Sequence, residues 1–409
     1  MSLFCSLLKK DEMVNLKSRL CLLLLTLLSS VYAQTGFPAS GKCILDWYDD
    51  DPVVNRVTAK CTVIDGEAFE PPRSILGYPI RKVIVTGDSF FMNKTNPVLQ
   101  YYVLHNFKSV RINTSFVPEI TKIDLIGCVL DQGTFQGLFP KMTELGFDNS
   151  SSFLSTQELT MPNLETFEFK KSDAVQNIDF KGTFRNLTKL RVKDMPKLRS
   201  LTIESQGIPK LKTLEVFDAP LLTSRNLRLN GIFEKTEFLA VAGTGVSEAL
   251  IDLPKLKIQF PKLIHIFATK TKIGKIVIDC GPTTLKIWEA ENTLASTVEV
   301  VTDISSCMRN LTALIAGTAR SEMSSSNKGL TCNCNLIQAY DKVTKNRGPF
   351  MQVDFGDCAS PSSMSFVEYK QHMMNNTCPK TNGTGKARPV FTWKVLQITI
   401  LFLVYLINE

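Results

Sequence analysis

The apolar residues beyond position 119 recur in one short pattern, and this pattern restricts the fold more than any other feature. Each block reads L-x-x-L-x-L, often continues x-x-(Asn, Cys or Thr)-x-L, and follows the previous block after twenty-two to twenty-seven residues. Such a period predicts a solenoid, in which each block is one structural unit that stacks on the next. The blocks open at Ile120, Met142, Leu164, Leu187, Leu211, Thr236, Leu263, Leu285 and Leu311.

The two apolar places after each opening are separated by one residue, which is the period of a β-strand. Each block is therefore predicted to add one strand to a parallel sheet and to point both residues into a shared core. These pairs are Ile123/Leu125, Leu145/Phe147, Phe167/Phe169, Leu190/Val192, Leu214/Val216, Leu239/Val241, Ile266/Ala268, Trp288/Ala290 and Leu314/Ala316.

The pattern resembles leucine-rich repeats. The resemblance implies an α/β solenoid, a horseshoe with a parallel β-sheet on its concave face, with the repeats at residues 120–329. The ninth place, which in the family holds an Asn bonded to the turn backbone, contains Cys128, Thr244 and Thr271, and less typically Ser150, Ser172, Met195 and Ala219. Cys128 is expected to be a buried structural thiol rather than a reactive one.

Residues 34–119 are less regular and are assigned to an N-terminal cap with irregular first repeats. Ile80, Val83 and Val85 resemble one imperfect repeat, and Phe107, Val110 and Ile112 resemble a second.

Both ends of the chain contain processing signals. Lys17 and Arg19 precede an apolar run, and Ala33 ends a signal-peptidase site, so residues 1–33 are predicted to be a signal peptide, with the start at Met1 or Met13 left open. Small residues, a spacer and a thirteen-residue apolar tail within 379–409 predict a removed GPI-attachment signal.

We expect GPI attachment at Asn382 or Gly383, which would place the protein at the cell surface, on the outer leaflet of the plasma membrane. The alternative is a single transmembrane helix over 390–407, although Lys394 would lie inside it and the apolar tail is shorter than the roughly 20 residues that a span needs.

Several N-x-[ST] sequons behind a signal peptide predict a glycosylated surface. The sequon at Asn382 would lose its Thr384 on lipid attachment. The predicted glycosylation sites are Asn93, Asn113, Asn149, Asn186, Asn310 and Asn375.

Nine of the cysteines lie outside the signal peptide, and in an oxidising compartment most of them should pair and one should remain. Cys43 and Cys61 are expected to close the N-terminal end, although the family often has four cysteines there. Cys280 and Cys307 are expected to pair between neighbouring blocks.

The Cys332-x-Cys334 motif, with Cys358 and Cys378 after it, resembles the C-terminal cap of extracellular leucine-rich-repeat proteins of the connectin, chaoptin and Nogo receptor type. The resemblance covers residues 35–378. It implies disulfides joining Cys332 with Cys358 and Cys334 with Cys378, in a cap at residues 330–378 that covers the open end of the core. The family's Asn-Pro-Trp run before the motif is absent. Zinc is the alternative ligand of such cysteines, but secretion favours disulfides.

The usual participants of catalysis are missing from the sequence. The histidines are His105, His265 and His372, none is in an H-E-x-x-H context, and no G-x-S-x-G or Walker-type loop occurs. The run 49–51 of aspartates could bind calcium but is interpreted as a solvated loop. We expect no enzyme activity, cofactor or metal. Residues 34–382 contain 40 basic and 36 acidic side chains, a net charge of +4 that implies no nucleic-acid partner.

The third, fifth and seventh places of each block should line the concave face, where side chains are free to bind a ligand. Phe217, Phe238 and Phe267 fall on these places and predict an apolar patch. Because strands lie about 4.8 Å apart, Phe238 and Phe267 should be within roughly 8 Å, with Phe217 somewhat farther. The alternative is that the cap or a glycan covers them.

Lys189, Arg191 and Lys193 occupy the same places of one block and form a basic triplet. They could bind an acidic glycan or partner, or pair with Glu168 and Glu215 on the neighbouring strands.

The leading hypothesis is a recognition or adhesion module that binds an extracellular protein ligand through its concave face. With a GPI anchor, signalling would require a transmembrane co-receptor. A structural surface or matrix glycoprotein without a discrete ligand, and a pattern-recognition receptor, would use the same scaffold and remain alternatives.

Overall fold

The computed structural model describes residues 41–46, 57–63, 68–70, 74–75, 78–92, 95–130, 133–150, 159–324, 329–345, 351–362, 364–374 and 378. These residues form a parallel-strand solenoid of about 10 turns, which confirms the predicted leucine-rich-repeat fold class. The signal peptide, the GPI signal, the aspartate run and the sequons at Asn93, Asn375 and Asn382 lie outside the described residues.

One sheet runs through the whole solenoid and forms the concave face, with its strands in chain order. Its first two strands are antiparallel and all later neighbours are parallel. The strands are β1 (Gly41–Asp46), β2 (Val57–Val63), β3 (Tyr78–Thr86), β4 (Tyr101–His105), β5 (Lys122–Ile126), β6 (Glu144–Asp148), β7 (Thr166–Lys170), β8 (Lys189–Lys193), β9 (Thr213–Phe217), β10 (Phe238–Ala240), β11 (His265–Phe267), β12 (Ile287–Glu289), β13 (Ala313–Thr318) and β14 (Gln352–Gly356). Ser74–Ile75 pairs antiparallel with the start of β3.

The convex side consists mainly of short parallel strands and turns rather than helices. The strand pairs are Ser89–Phe90 with Ser109–Val110, Ile112–Asn113 with Phe135–Gln136, Lys275–Ile278 with Thr297–Val300, and Leu330–Thr331 with Cys358–Ser360; Asn177–Phe180, Ser200–Glu204 and Leu227–Asn230 form a triple. Short 3-10 turns lie at Thr114–Phe116, Ser205–Gly207 and Arg320–Glu322.

A single described convex helix, α1 (Leu253–Gln259), interrupts these strands. It begins where Asp252 accepts a hydrogen bond from the Lys255 backbone N–H, with Pro254 in its first turn. The longest of the described intervals, between Thr236 and Leu263, makes room for it.

The core is the stack of block residues that the sequence pattern predicts. The inward pairs from Ile123/Leu125 to Leu314/Ala316 are all buried, as are all nine block openings. Aromatic side chains pack in the core of the middle turns, where the ring centroids of Phe147 and Phe169 lie 4.9 Å apart and those of Phe167 and Phe180 lie 5.0 Å apart. Burial of this continuous stack holds each turn against the next.

The second imperfect repeat was wrongly placed by the sequence. Its concave strand is β4, in which Tyr102 and Leu104 point into the core, and Phe107, Val110 and Ile112 follow in the turn and on the convex side of the same unit. The pattern was missed because a buried tyrosine stands where the repeat usually has leucine. Ile80, Val83 and Val85 do belong to a concave strand, β3, and are fully buried.

Each concave strand from β4 to β12 is followed, within three residues, by a residue with left-handed backbone conformation directly before the ninth place. These residues are Asn106, Gly127, Asn149, Lys171, Asp194, Asp218, Gly243, Lys270 and Asn292, with φ between 51 and 64°. Asn, Asp and Gly adopt this conformation most easily, so the position carries a turn signal that the leucine pattern does not show. The next side chain is buried: Thr244 Oγ1 donates to the Val241 carbonyl at 2.7 Å.

Four disulfides close the ends and one convex turn of the solenoid, and they are the pairs expected from the sequence. Cys43 faces Cys61 across β1 and β2, and Cys280 joins Cys307. In the C-terminal cap, Cys332 joins Cys358 and Cys334 joins Cys378, so these sulfurs are not available as zinc ligands. Cys128 is a buried free thiol, and burial raises its pKa.

The C-terminal cap packs two helices against the last strand. These are α2 (Cys334–Thr344), capped by Asn333, and α3 (Phe366–Met374). The ring centroids of Phe355 and Phe366 lie 5.1 Å apart, and those of Tyr340 and Phe366 lie 5.4 Å apart. The cap thereby buries apolar side chains that the last repeat would otherwise expose.

Candidate functional site

The outward residues of the concave strands form rows across the sheet because neighbouring strands are in register. The middle row changes chemistry along the solenoid: it begins with two aliphatic residues, is mostly charged from β5 to β9, has Ala240 and Phe267 on β10 and β11, and then alternates between carboxylates and an isoleucine. From β3 to β14 it contains Ile84, Val103, Asp124, Gly146, Glu168, Arg191, Glu215, Ala240, Phe267, Glu289, Ile315 and Asp354.

The concave face has two neighbouring parts with different side-chain chemistry. The charged sector spans β5 to β9 and the aromatic sector spans β9 to β11. The charged sector consists of Lys122, Asp124, Glu144, Asp148, Glu168, Lys170, Lys189, Arg191, Lys193 and Glu215, and the aromatic sector consists of Phe217, Phe238, His265 and Phe267.

A buried ion pair lies at the centre of the charged sector. Arg191 Nε is 2.7 Å from Glu215 Oε2, and Arg191 Nη1 is 4.0 Å from Glu168 Oε1. Arg191 is 8 % exposed and Glu215 is 2 % exposed. Of the two alternatives for the basic triplet, pairing with the neighbouring carboxylates therefore holds for Arg191, which leaves its guanidinium with little surface for a ligand.

The rest of the charged sector is also arranged in opposite charges. Lys122 Nζ lies 2.9 Å from Glu144 Oε2, and Lys170 Nζ lies 3.7 Å from Asp148 Oδ2. The sector contains as many carboxylates as cationic groups. Its field is therefore balanced locally, which disfavours it as a site for a polyanion.

The two lysines of the basic triplet differ from Arg191 in their surroundings. Burial lowers the pKa of Lys189, and the neighbouring positive charge of Arg191 lowers it further. Lys193 Nζ lies 5.6 Å from the centre of the Phe217 ring, within the range of a cation–π contact. Lys193 thus joins the charged sector to the aromatic sector.

The aromatic sector brings together three rings of the predicted patch and one that the prediction left out. The ring centroids of Phe217 and Phe267 are 6.0 Å apart, and those of Phe238 and His265 are 4.9 Å apart. His265 lies 6.3 Å from Phe267, so it connects the two pairs.

Phe217 was expected to be the distant member of the patch, and this was wrong. Phe217 and Phe267 lie on β9 and β11 in adjacent rows, and β10 between them has Ala240, which is fully buried, in the row of Phe267. Because alanine is small, the two rings approach each other across β10. The three phenylalanines are half-buried rather than fully exposed.

His265, the polar residue of the aromatic sector, is paired with a carboxylate on the neighbouring strand. His265 Nε2 lies 2.8 Å from Glu289 Oε1 on the next strand. Beyond it, Ile287 and Ile315 are half-buried on the concave face and continue the apolar surface towards the C-terminal cap. Apolar side chains therefore occur on the concave face as far as β13, with Glu289 between Phe267 and Ile315 in the middle row.

Tyr101 is a concave residue that the sequence interpretation missed. Its hydroxyl donates to Asp124, and Lys82 and Lys122 lie 5.0 and 4.9 Å from its ring centre. Its place, two residues after a block opening at Leu99, could have identified it once the β4 repeat was correctly placed. Tyr101 therefore contacts two residues of the charged sector, Lys122 and Asp124, at its N-terminal end.

The four described sequon asparagines lie away from the outward rows of the concave strands. Asn149 is exposed and directly follows β6, while Asn113 lies on the convex side. Asn186 and Asn310 each stand one residue before a block opening. Glycosylation at these positions remains a prediction.

A metal site and a membrane-spanning helix are two further features that the described residues could provide. No group of three or more His, Cys, Asp or Glu side chains there is placed to hold a metal ion. No helix in the same part of the chain combines the length and apolarity that crossing a membrane requires.

No protein-family model and no curated protein matches the chain. Among solved structures, the chain is similar to an internalin (inlF) from Listeria monocytogenes, at 12 % identity and a TM-score of 0.35, covering 68 % of this chain and 87 % of the internalin. It is similar to the leucine-rich repeat domain of APL1B, at 15 % identity and a TM-score of 0.32, covering 59 % and 79 %. A chain of a TLR13–ssRNA13 complex is 11 % identical with a TM-score of 0.28, and the similarity covers 68 % of this chain and 53 % of that one. These neighbours are leucine-rich-repeat proteins, and the likeness concerns architecture alone.

Proposed function

We propose that the protein is a cell-surface recognition module that binds an extracellular protein through the aromatic sector of its concave face. The carrying observation is that Phe217, Phe238 and Phe267 are half-buried in outward places, where the core does not require aromatic side chains. Aromatic side chains, phenylalanine included, are enriched in the cores of protein interfaces, where they bury large apolar areas. The proposed activity is binding without catalysis.

The surroundings of the aromatic sector support this proposal. The charged sector lies on one side and the apolar residues Ile287 and Ile315 lie on the other. A partner would gain affinity by covering the rings, and a wrong partner would lose affinity by leaving charges of the neighbouring sector unpaired. Glycans at the described sequons would leave the rings uncovered, since those asparagines lie off the concave rows.

Attachment to the outer leaflet through a GPI anchor at Asn382 or Gly383 belongs to the same proposal, with a transmembrane co-receptor as the route for any signal. Treatment of intact expressing cells with a GPI-specific phospholipase tests this part. Release of the protein into the medium is expected. Full retention after treatment would instead support the single-pass alternative.

The binding surface is tested with the glycosylated ectodomain from Gln34 to Asn382, presented as a multivalent probe to a library of extracellular domains that includes itself. The variant carries Phe217→Asp, Phe238→Asp and Phe267→Asp. A matched control carries Leu221→Asp, Ile232→Asp and Val301→Asp, at apolar positions off the concave rows that are 45, 53 and 54 % exposed.

Loss of partner binding in the aromatic variant, with binding kept by the control, is the expected result. Both proteins must show the disulfide content and unfolding transition of the wild type. Unchanged binding by a folded aromatic variant would contradict the proposed site. Self-binding by the wild type would identify the partner as a second copy of this chain.

A further inference from the structure

The edge of the solenoid at which the concave strands begin contains a set of unbalanced cations. We call this set the lysine row; it is formed by Lys210, Lys212, Lys235, Lys262 and Lys286. Each stands one residue before or after a block opening, and all five side chains are exposed. They come from four successive turns, so the fold brings into one row residues that are separated in sequence.

Backbone hydrogen bonds show that these turns are direct neighbours. The Glu237 N–H donates to the Lys212 carbonyl at 2.8 Å, the Ile264 N–H donates to the Glu237 carbonyl at 2.8 Å, and the Lys286 N–H donates to the Ile264 carbonyl at 2.8 Å. With strands about 4.8 Å apart, the row extends over roughly 15 Å. It therefore presents one or two cations on each of four neighbouring turns along one edge.

The lysine row is not neutralised as the charged sector is. Lys210 Nζ donates to Asn186 Oδ1 at 2.7 Å, a neutral partner. Among the described residues, Lys212, Lys235, Lys262 and Lys286 form no ion pair. Glu234 and Glu237 are the acidic residues of this edge, so five cations stand against two carboxylates.

We propose that the lysine row binds a linear sulfated polysaccharide. Exposed ammonium groups on successive turns suit a chain with repeating sulfates and carboxylates, because each is a point charge that needs no fixed approach geometry. The disulfides indicate an oxidising, extracellular setting, in which such polymers occur. This surface is distinct from the aromatic sector and does not depend on the protein-binding proposal.

The composition of the row favours a polysaccharide over other polyanions. Single-stranded nucleic acid is usually held by aromatic side chains that stack on bases, whereas the rings nearest the row, Phe238 and His265, are engaged in an edge-to-face contact with each other at 4.9 Å. An anionic lipid surface is planar, so it can reach the row only if nothing projects beside it. Asn186 and Asn310 occupy the same place in flanking turns as Lys210, Lys235 and Lys262, so predicted glycans there would hold a flat surface away from the row.

The test uses the glycosylated ectodomain from Gln34 to Asn382, expressed in eukaryotic cells, and immobilised heparin as the probe. The row variant carries Lys212→Glu, Lys235→Glu and Lys262→Glu, and a milder version carries glutamine at the same positions. The matched control carries Lys197→Glu, Lys270→Glu and Lys272→Glu, at exposed lysines that follow the concave strands and change net charge equally.

Polyanion binding releases counterions, so the wild type should bind heparin with a steep salt dependence, and the row variant should bind at least about tenfold more weakly. Each lost lysine contact is expected to lower the slope of log K against log salt by about one, and the glutamine version should lie between. The control should keep its affinity within about twofold.

Equal losses in the control and the row variant would overturn the proposal, since net charge alone would then explain binding. So would equal binding to fully desulfated heparin, absence of wild-type binding, or stronger binding to phosphatidylserine vesicles or single-stranded RNA. A thermal unfolding transition identical to that of the wild type ensures that a loss reports the surface and not the fold.

Discussion

The charged sector and the aromatic sector lie side by side on one sheet, and they differ in burial: the first buries charged side chains, whereas the second leaves aromatic side chains partly exposed. In the charged sector, Arg191 and Glu215 are almost completely buried, at 8 % and 2 % exposure. In the aromatic sector, Phe217, Phe238 and Phe267 are only partly buried. Side-chain polarity therefore does not predict burial on a concave face; the neighbours on adjacent strands do. The charged side chains of the first sector pair with one another, whereas the rings of the second sector keep exposed surface that a partner could cover.

The largest expected effect comes from breaking the buried ion pair. Glu215→Ala should lower the free energy of unfolding by about 3–5 kcal/mol, because it leaves the Arg191 guanidinium buried without its nearest counter-charge. Urea unfolding followed by circular dichroism measures the change. The double variant Arg191→Met with Glu215→Leu is the control and should lose much less, since no charge is left unpaired.

If Glu215→Ala cost no more than an exposed ion pair, the contrast between the two sectors would fail. The same result would mean that Glu168, 4.0 Å away, compensates Arg191 by itself.

A smaller loss is expected in the aromatic sector. Phe217→Ala should lower the free energy of unfolding by about 1–2 kcal/mol, because the ring is half-buried and its removal ends the contact with Phe267. Phe167→Ala, at a fully buried core position, should cost more, about 3–5 kcal/mol. Comparing both variants in one denaturation series separates surface rings from core rings. Equal losses would indicate that the aromatic sector is part of the core and weaken the binding proposal.

The smallest effect is expected for an exposed pair at the N-terminal end of the charged sector. Lys122 and Glu144 have side chains that are 35 and 49 % exposed, so Glu144→Gln should cost less than about 1 kcal/mol. High salt should reduce the difference further. A loss as large as that of Glu215→Ala would show that burial is not what separates the ion pairs of this sector. Unfolding in low and high salt gives the comparison.

Much of the fold could be predicted from the sequence because the repeat pattern encodes it directly. The block openings and inward pairs from Ile120 onward are core residues as predicted, since alternation in a strand leaves only one choice of face. The β4 unit was misplaced because Tyr102 replaces an aliphatic residue. The left-handed turn position was not recognised either, although Asn, Asp and Gly recur there.

The sequence predicted which side chains of the candidate site lie on the concave face, but it did not predict which of them contact each other. Alternation placed Phe217, Phe238 and Phe267 on the concave face, and it placed Lys189, Arg191 and Lys193 beside them. It could not indicate that Phe217 reaches Phe267 across Ala240, since that depends on side-chain size on an intervening strand. It also could not choose between a free and a paired Arg191.

The sequence by itself determined the repeat, the identity of the inward residues and the cysteines available to close the ends, because these follow from period and composition. The tertiary structure alone decided which residues of different turns meet: the buried Arg191–Glu215 pair, the Phe217–Phe267 contact and the lysine row. The physical reason is that turn lengths vary, and the stacking of turns brings residues more than twenty positions apart to about one strand spacing. The apolar pattern within a repeat specifies the strand and core of that repeat, and the register between turns specifies which side chains meet on the surface.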